Sequence, residues 1–149
     1  MKTSHALLAL TAVTAAHLMQ RERHHKQHKE MVLSGVQERW VSLLTTHPDL
    51  AAPWKPAHMS VEEYVKLLNA NQQLCSLSLR YRLALVTKDR LRVYATRLMT
   101  YAHVRQYWQE FGPIREEEAL GNARASAFNE ILAEAYDTLI RRPKQAADL

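Results

Sequence analysis

The stretch SVEEYVKLLNANQQLCSLSLRYRLALV, residues 60–86, decides the fold class of this chain. Its apolar residues recur at intervals of three and four, the spacing of one face of an α-helix. Ser60, followed by Glu63 at the third helical position, forms a capping-box pattern, in which each side chain bonds to the other residue's backbone amide. The stretch therefore predicts a helix that begins directly after the serine, runs to about Val86 and packs Cys75 on its apolar face.

Helical periodicity continues through most of the chain on both sides of this stretch. The further helices are predicted over residues 20–46, 88 to about 111, a short turn at 114–119, and 123–140. The expected helix stops are Gly112-Pro113, Gly121-Asn122 and Arg141-Arg142-Pro143. Thr87 is expected to cap the helix that follows it. Three prolines predict a loop over residues 47–59, which Trp54 is expected to pin to the core.

Composition agrees with an all-α domain. The chain has 149 residues, of which 47% are hydrophobic and 23% are charged, so it is long and apolar enough to fold around one core. Only 3 glycines and 5 prolines are present, and no segment alternates with a period of two. We therefore predict a helical bundle on a long N-terminal helix, without a sheet.

The charge balance and the single cysteine limit the partners and sites. Lys and Arg number 20 against 15 Asp and Glu, and the net charge of +5 suits an acidic partner such as nucleic acid, anionic lipid or an acidic protein face. One cysteine excludes an internal disulfide framework and a cysteine-cluster metal site. His24 and His28 lie one helical turn apart, but no acidic residue completes a site, so we predict no metal and no cofactor.

The N-terminus contains an apolar run, ALLALTAVTAAHLM at residues 6–19, followed by a basic flank that includes Arg21 and Arg23. We predict a membrane-anchor helix here, with residues 3–19 in lipid, although the run is shorter than the ~20 residues of a usual spanning helix. A secretory signal peptide and a soluble buried helix are the alternatives. The heavier basic flank is C-terminal, so the positive-inside rule predicts a single-pass protein in the cell membrane whose bulk is cytoplasmic.

These features divide the chain into four predicted parts. They are an anchor helix at 1–20, a basic linker helix at 21–46, a helical bundle domain at 47–142 and a frayed tail at 143–149. The chemistry-bearing residues of interest fall in the third part. The sequence is compatible with a homo-oligomer as well as a monomer.

One face of the helix predicted from residue 88 combines cations with aromatic rings. The residues that share this face, here called the Arg–Tyr ridge, are Arg90, Tyr94, Arg97, Tyr101, Arg105 and Trp108. Arginine pairs well with carboxylates and phosphates, and aromatic rings supply contact area at interfaces. We predict that the ridge binds a partner. The alternative is internal, with arginines stacked on tyrosines and both bordering the core.

Three short motifs carry a family resemblance. They are the segment from Leu91 to Leu98, Arg105-x-Tyr107-Trp108, and Phe128-x-x-Ile131 with Ala135-Tyr136. Over residues 20–140 the chain resembles an uncharacterised family of small actinobacterial proteins, classed as a domain of unknown function. The resemblance implies a hydrophobic N-terminal helix, a His- and Arg-rich linker helix and a compact helical domain. It implies no activity, and Pro48-Asp49 departs from the Asp-Pro order that we would expect.

Three functions from different classes remain. We expect a membrane-tethered adaptor that binds the acidic face of another protein. The alternative is a soluble basic module for nucleic acid or another polyanion, which we favour less because no nucleic-acid recognition fold is evident. The third is an enzyme or small-ligand binder with a pocket lined by Asn71 and Gln72. No nucleophile elbow, phosphate loop or metalloprotease motif is present, so we lean away from catalysis.

Overall fold

The computed structural model describes residues 2–146, with side chains described for residues 16–140. This part of the chain forms six α-helices and one 3-10 turn, Ala52–Trp54, without a strand. The α-helices are α1 (Lys2–Thr46), α2 (Pro48–Ala51), α3 (Val61–Arg82), α4 (Lys88–Met99), α5 (Ala102–Glu118) and α6 (Ala123–Ala146). The all-α class and the long N-terminal helix are confirmed.

The chain divides into two units after Val36. In the first unit, the large apolar side chains from Leu18 to Val36 are exposed. No described helix combines the length and apolarity that membrane crossing requires. The anchor predicted for residues 1–20 falls largely on residues whose side chains lie outside the described part, so it stays a prediction, as do the predicted part boundaries.

The second unit, from Gln37 onward, holds the main core. Helix α6 packs against α3, α4 and α5, and α3 also packs against α5. The side chains buried between these helices include Leu67, Leu74, Leu91, Met99, Val104, Trp108, Phe128 and Leu132. A smaller cluster of Val41, Leu44, Ala51 and Leu68 packs the end of α1 and α2 against α3. The helices of this unit therefore gain their stability from shared apolar burial.

Two predicted helix starts are confirmed. The Ser60 hydroxyl accepts from the Glu63 amide at 3.1 Å, and the Glu63 carboxylate accepts from the Ser60 amide at 3.0 Å. Thr87 Oγ1 accepts from the Arg90 amide at 3.4 Å. These bonds occupy backbone donors that have no partner within their own helix.

Helix α3 ends at Arg82, a turn earlier than predicted. The Ala84 amide donates to Tyr81 O at 3.0 Å, and the Leu85 amide donates to Arg80 O at 2.9 Å. This is the hydrogen-bond pattern of a Schellman motif, with Ala84 in the left-handed position at φ 61°. Glycine usually marks that position, and its absence explains why the sequence pattern predicts a longer helix.

The single helix predicted from 88 to 111 is wrong, because the chain breaks between α4 and α5 at Thr100 and Tyr101. Tyr101 has an extended backbone, with φ −82° and ψ 127°. The Arg105 guanidinium donates to the carbonyls of Met99 at 2.7 Å and Thr100 at 2.8 Å. An arginine from the next helix thus satisfies acceptors that a helix end leaves open. Neither glycine nor proline marks this break.

The stop predicted at Gly112-Pro113 is also wrong, because both residues lie inside α5 and residues 114–118 continue that helix. A methyl group at Gly112 would lie 3.3 Å from the Trp108 ring, closer than ordinary contact. The glycine therefore allows close packing of the Trp108 ring and does not reverse the chain. The break predicted at Gly121-Asn122 is confirmed, with Gly121 at φ +79°.

Two other predictions are corrected. The loop predicted at 47–59 contains α2 and the 3-10 turn, and Trp54 is 62% exposed instead of pinned in the core. Its ring meets the edge of the Trp40 ring, with centroids 6.1 Å apart. Helix α6 continues to Ala146, past the end predicted at 141–143 and into the predicted tail.

Candidate functional site

A cleft of about 410 Å³ lies between α3 and α4 and extends to Tyr101, the residue that precedes α5. Its lining residues are Gln73, Leu77, Arg80, Tyr94, Arg97, Leu98 and Tyr101. Pockets that bind ligands commonly measure ~300–1,000 Å³, so the cleft is large enough for one or a few side chains of a partner. We call it the α3–α4 cleft.

Helical spacing places these side chains together. Gln73, Leu77 and Arg80 stand four and three residues apart on α3, which sets them on one helix face. On α4, Tyr94 stands three residues before Arg97 and four before Leu98, so these side chains also share one helix face. The chain break after α4 then brings Tyr101 to the end of the cleft.

The cleft combines an apolar part with a cationic, aromatic part. Leu77 is buried and Leu98 is half-buried, whereas Arg80 and Arg97 are exposed. Tyr94 and Tyr101 expose 40% and 47% of their surface. Of the seven described residues that line the cleft, two are arginines and none is acidic. The cleft can therefore hold an anionic group beside an apolar one.

The structure separates the Arg–Tyr ridge into different environments. Tyr94, Arg97 and Tyr101 line the cleft. Arg90 is exposed on α4 but does not line it. Arg105 bonds to the carbonyls at the end of α4, and Trp108 is buried in the main core at 5% exposure. The shared face does not form, because the ridge spans two helices. Arg105 and Trp108 therefore make contacts inside the domain, although the contacts of Arg105 are to backbone carbonyls and not the stacking on tyrosine of the internal alternative.

Four residues of the cleft were not among the predicted site residues: Leu98 from α4, and Gln73, Leu77 and Arg80 from α3. On α3, Leu77 belongs to the same core cluster as Leu67 and Leu74, and Gln73 and Arg80 are exposed at the border of that core face. The signal was visible as helical periodicity. Nothing in the pattern, however, indicates that this face of α3 would meet α4 at Arg97.

A half-buried polar cluster links α3 to α5 elsewhere in the domain. Asn71 Oδ1 accepts from Tyr107 Oη at 2.8 Å, from Arg115 Nη1 at 3.2 Å and from Cys75 Sγ at 3.4 Å. Arg115 Nη1 also donates to Tyr107 Oη at 3.2 Å and lies 3.8 Å from Cys75 Sγ. Asn129 on α6 donates to Arg115 O at 2.7 Å. We call these contacts the Asn71 clasp.

The Asn71 clasp holds helices together. Burial raises the pKa of Tyr107, although the neighbouring Arg115 opposes the shift, so the phenol stays protonated and donates at neutral pH. Asn71 thus bonds to the neighbouring helix α5. Neither Asn71 nor Gln72 lines the α3–α4 cleft. Cys75 is half-buried in polar contacts, whereas the sequence predicted simple apolar packing.

Within the described part of the chain, no three His, Cys, Asp or Glu side chains come together as metal ligands. His24 and His28 are exposed on the first unit. The described lining of the α3–α4 cleft holds no acidic side chain. The geometry of the cleft suits an anion more than a cation.

Comparison with known proteins assigns a family. The model of DUF6082, a family of unknown function, matches residues 2–148. The chain belongs to this family. No curated protein and no solved structure matches the chain. Membership in DUF6082 agrees with the expected resemblance to a domain of unknown function.

Proposed function

We propose that this member of DUF6082 is a non-catalytic interaction module whose α3–α4 cleft receives an acidic segment of a protein partner. The observation that carries the proposal is the lining of the cleft, in which Arg80 and Arg97 stand beside exposed tyrosines with no acidic side chain among the described residues. Arginine and tyrosine, together with tryptophan, are enriched among the residues that dominate binding energy at protein interfaces.

The chemistry of the cleft narrows the partner. Exposed ion pairs contribute only ~0–1 kcal/mol each, so two arginines alone give weak binding. Leu77 and Leu98 add an apolar surface on which an aliphatic side chain can bury. The preferred partner segment therefore carries an aliphatic residue next to carboxylates.

The N-terminal sequence supports the wider proposal of a membrane tether. Its support is the apolar run at 6–19 and the basic flank that follows. In this proposal residues 3–19 lie in lipid, and the second unit presents the α3–α4 cleft on the cytoplasmic side. The actinobacterial origin and hydrophobic N-terminal helix implied by the resemblance belong to the same proposal.

Fluorescence anisotropy with a labelled peptide of glutamate and leucine tests the cleft. Wild-type protein is expected to bind this peptide at least about tenfold more tightly than its glutamine counterpart, since arginine pairs favour carboxylates. The double variant Arg80→Gln/Arg97→Gln is expected to lose that preference.

The control variant Lys66→Gln/Lys88→Gln removes the same charge from exposed positions of α3 and α4 outside the cleft. It is expected to keep the preference for glutamate. Equal losses in both variants would show that net charge alone drives binding. Tighter binding to a single-stranded DNA oligonucleotide, with a steep salt dependence, would favour the polyanion alternative instead.

A further inference from the structure

A second feature of the domain has the chemistry that the α3–α4 cleft lacks. At the turn between α5 and α6, Leu120 is 77% exposed, the largest exposed fraction among the described large apolar side chains. Three exposed glutamates, Glu116, Glu117 and Glu118, lie two to four residues before it, with the buried Ala119 in between. The segment, here called the α5–α6 turn, thus presents an aliphatic side chain beside carboxylates.

The backbone of the α5–α6 turn is well defined. The Leu120 amide donates to Glu117 O at 3.1 Å, and the Asn122 amide donates to Ala119 O at 2.9 Å. Leu120 follows Glu116 and Glu117 by four and three residues, the spacing of neighbours on helical backbone. None of these glutamates forms an ion pair within the described part of the chain. Because the backbone of the turn is already ordered, its binding costs little further backbone entropy.

We propose that the α3–α4 cleft of one copy receives the α5–α6 turn of a second copy, with Leu120 on Leu77 and Leu98 and the glutamates beside Arg80 and Arg97. This inference rests on the proposed function, because it names the acidic partner segment as part of the same chain. Its basis is complementarity: the cleft has cations and no described acid, and the turn has acids next to an exposed leucine.

The geometry has a consequence for assembly. The cleft is formed by α3 and α4, whereas the turn joins α5 to α6, so donor and acceptor are different surfaces. Such a contact can close reciprocally, as a two-fold dimer in which each cleft receives the other copy's turn, or it can continue head to tail into rings or open chains. A single turn in a cleft buries little area, so the association is weak, and salt weakens it further.

Sedimentation velocity over a wide concentration range tests the self-association of the full chain. Wild-type protein is expected to form dimers or larger species as concentration rises, and fewer of them at high salt. Two variants are expected to stay monomeric at every concentration: the cleft variant Arg80→Gln/Arg97→Gln and the turn variant Glu116→Gln/Glu117→Gln/Leu120→Ser. The control Glu130→Gln/Glu134→Gln/Ile140→Ser changes exposed residues of α6 and is expected to associate like the wild type.

Mixing the two variants is the decisive step. The turn variant keeps an intact cleft and the cleft variant keeps an intact turn, so the mixture is expected to form a one-to-one complex that grows no further. Circular dichroism of each variant checks that the helices remain. A mixture that stays monomeric overturns the proposal, and so does a wild type that stays monomeric throughout. If the wild type is monomeric but the glutamate–leucine peptide still binds the cleft, self-recognition fails and the proposed function stands.

Discussion

At the scale of single residues, Asn71 shows how one amide can tie helices together. Its side-chain oxygen accepts from Tyr107 on α5 and from the Arg115 guanidinium, and Asn129 on α6 bonds to Arg115 O. The substitution Asn71→Ala removes the acceptor but leaves the donors in place. We expect the free energy of unfolding to fall by about 1–3 kcal/mol, because buried donors without partners are costly.

Urea unfolding followed by circular dichroism measures this loss. Asn69→Ala is the matched control, since Asn69 is exposed on the same helix. The control is expected to change stability little, because alanine suits an exposed helical position. Equal effects of the two substitutions would contradict the role assigned to the Asn71 clasp.

The two tryptophans Trp108 and Trp54 differ in burial and should therefore differ in their contribution to the free energy of unfolding. Trp108 is 5% exposed in the main core, whereas Trp54 is 62% exposed. We expect Trp108→Ala to cost about 3–5 kcal/mol, the range for removing a large buried aromatic side chain. Trp54→Ala should cost far less, since mainly its edge contact with Trp40 is lost. Thermal unfolding of both variants checks the difference, and similar melting temperatures would argue against it.

At the scale of helices, the end of α3 offers a stabilising substitution. Ala84 occupies the left-handed position of the Schellman motif at φ 61°, a conformation that costs roughly 1–2 kcal/mol for residues with a Cβ. We expect Ala84→Gly to stabilise the protein, by less than that cost because glycine loses more entropy on folding. The measurement is the midpoint of chemical denaturation, and a lower midpoint than that of the wild type would refute the expectation.

The capping box at the start of α3 predicts that the stability of the protein depends on pH. The bond from the Ser60 backbone amide lowers the pKa of Glu63 below its ordinary value of 4.5. A lowered folded-state pKa means that the charged Glu63 stabilises the protein above pH 4.5, and that this contribution is lost as pH falls through the folded-state pKa. The stability difference between the wild type and Glu63→Gln should therefore shrink in acid. Urea unfolding at several pH values measures it, and a constant difference would contradict the assignment.

Helix ends show where sequence reasoning succeeds and fails. The α3 start was predictable because Ser60 and Glu63 act over three residues of the chain. The break before α5 was not, since Arg105 bonds to the carbonyls at the end of α4 from five and six residues further along the chain, without a glycine or proline to mark the site. Gly112 misled the prediction, because its lack of a Cβ serves the packing of Trp108. The capping residues at helix starts were read correctly, whereas helix ends without a glycine, and a glycine that serves packing, were not.

At the scale of the whole molecule, the same limit applies to the α3–α4 cleft. Half of the Arg–Tyr ridge, Tyr94, Arg97 and Tyr101, was found from α4 and the residues that follow it. Of the other half, Arg105 and Trp108 make contacts inside the domain, and Arg90 lies outside the cleft. Arg80 on α3 was not predicted. Whether a cation–aromatic stripe forms a binding surface depends on which helix packs beside it, and one sequence does not reveal that.

The measurement that tests the central claim most directly is nuclear magnetic resonance with isotope-labelled protein and the glutamate–leucine peptide. If the α3–α4 cleft is the docking site, the largest amide shifts will cluster at its lining residues, including Gln73, Arg80 and Arg97. Exposed basic residues outside the cleft, Lys66 and Lys88, will move little. Shifts spread evenly over the basic surface, or centred away from the cleft, would contradict the claim.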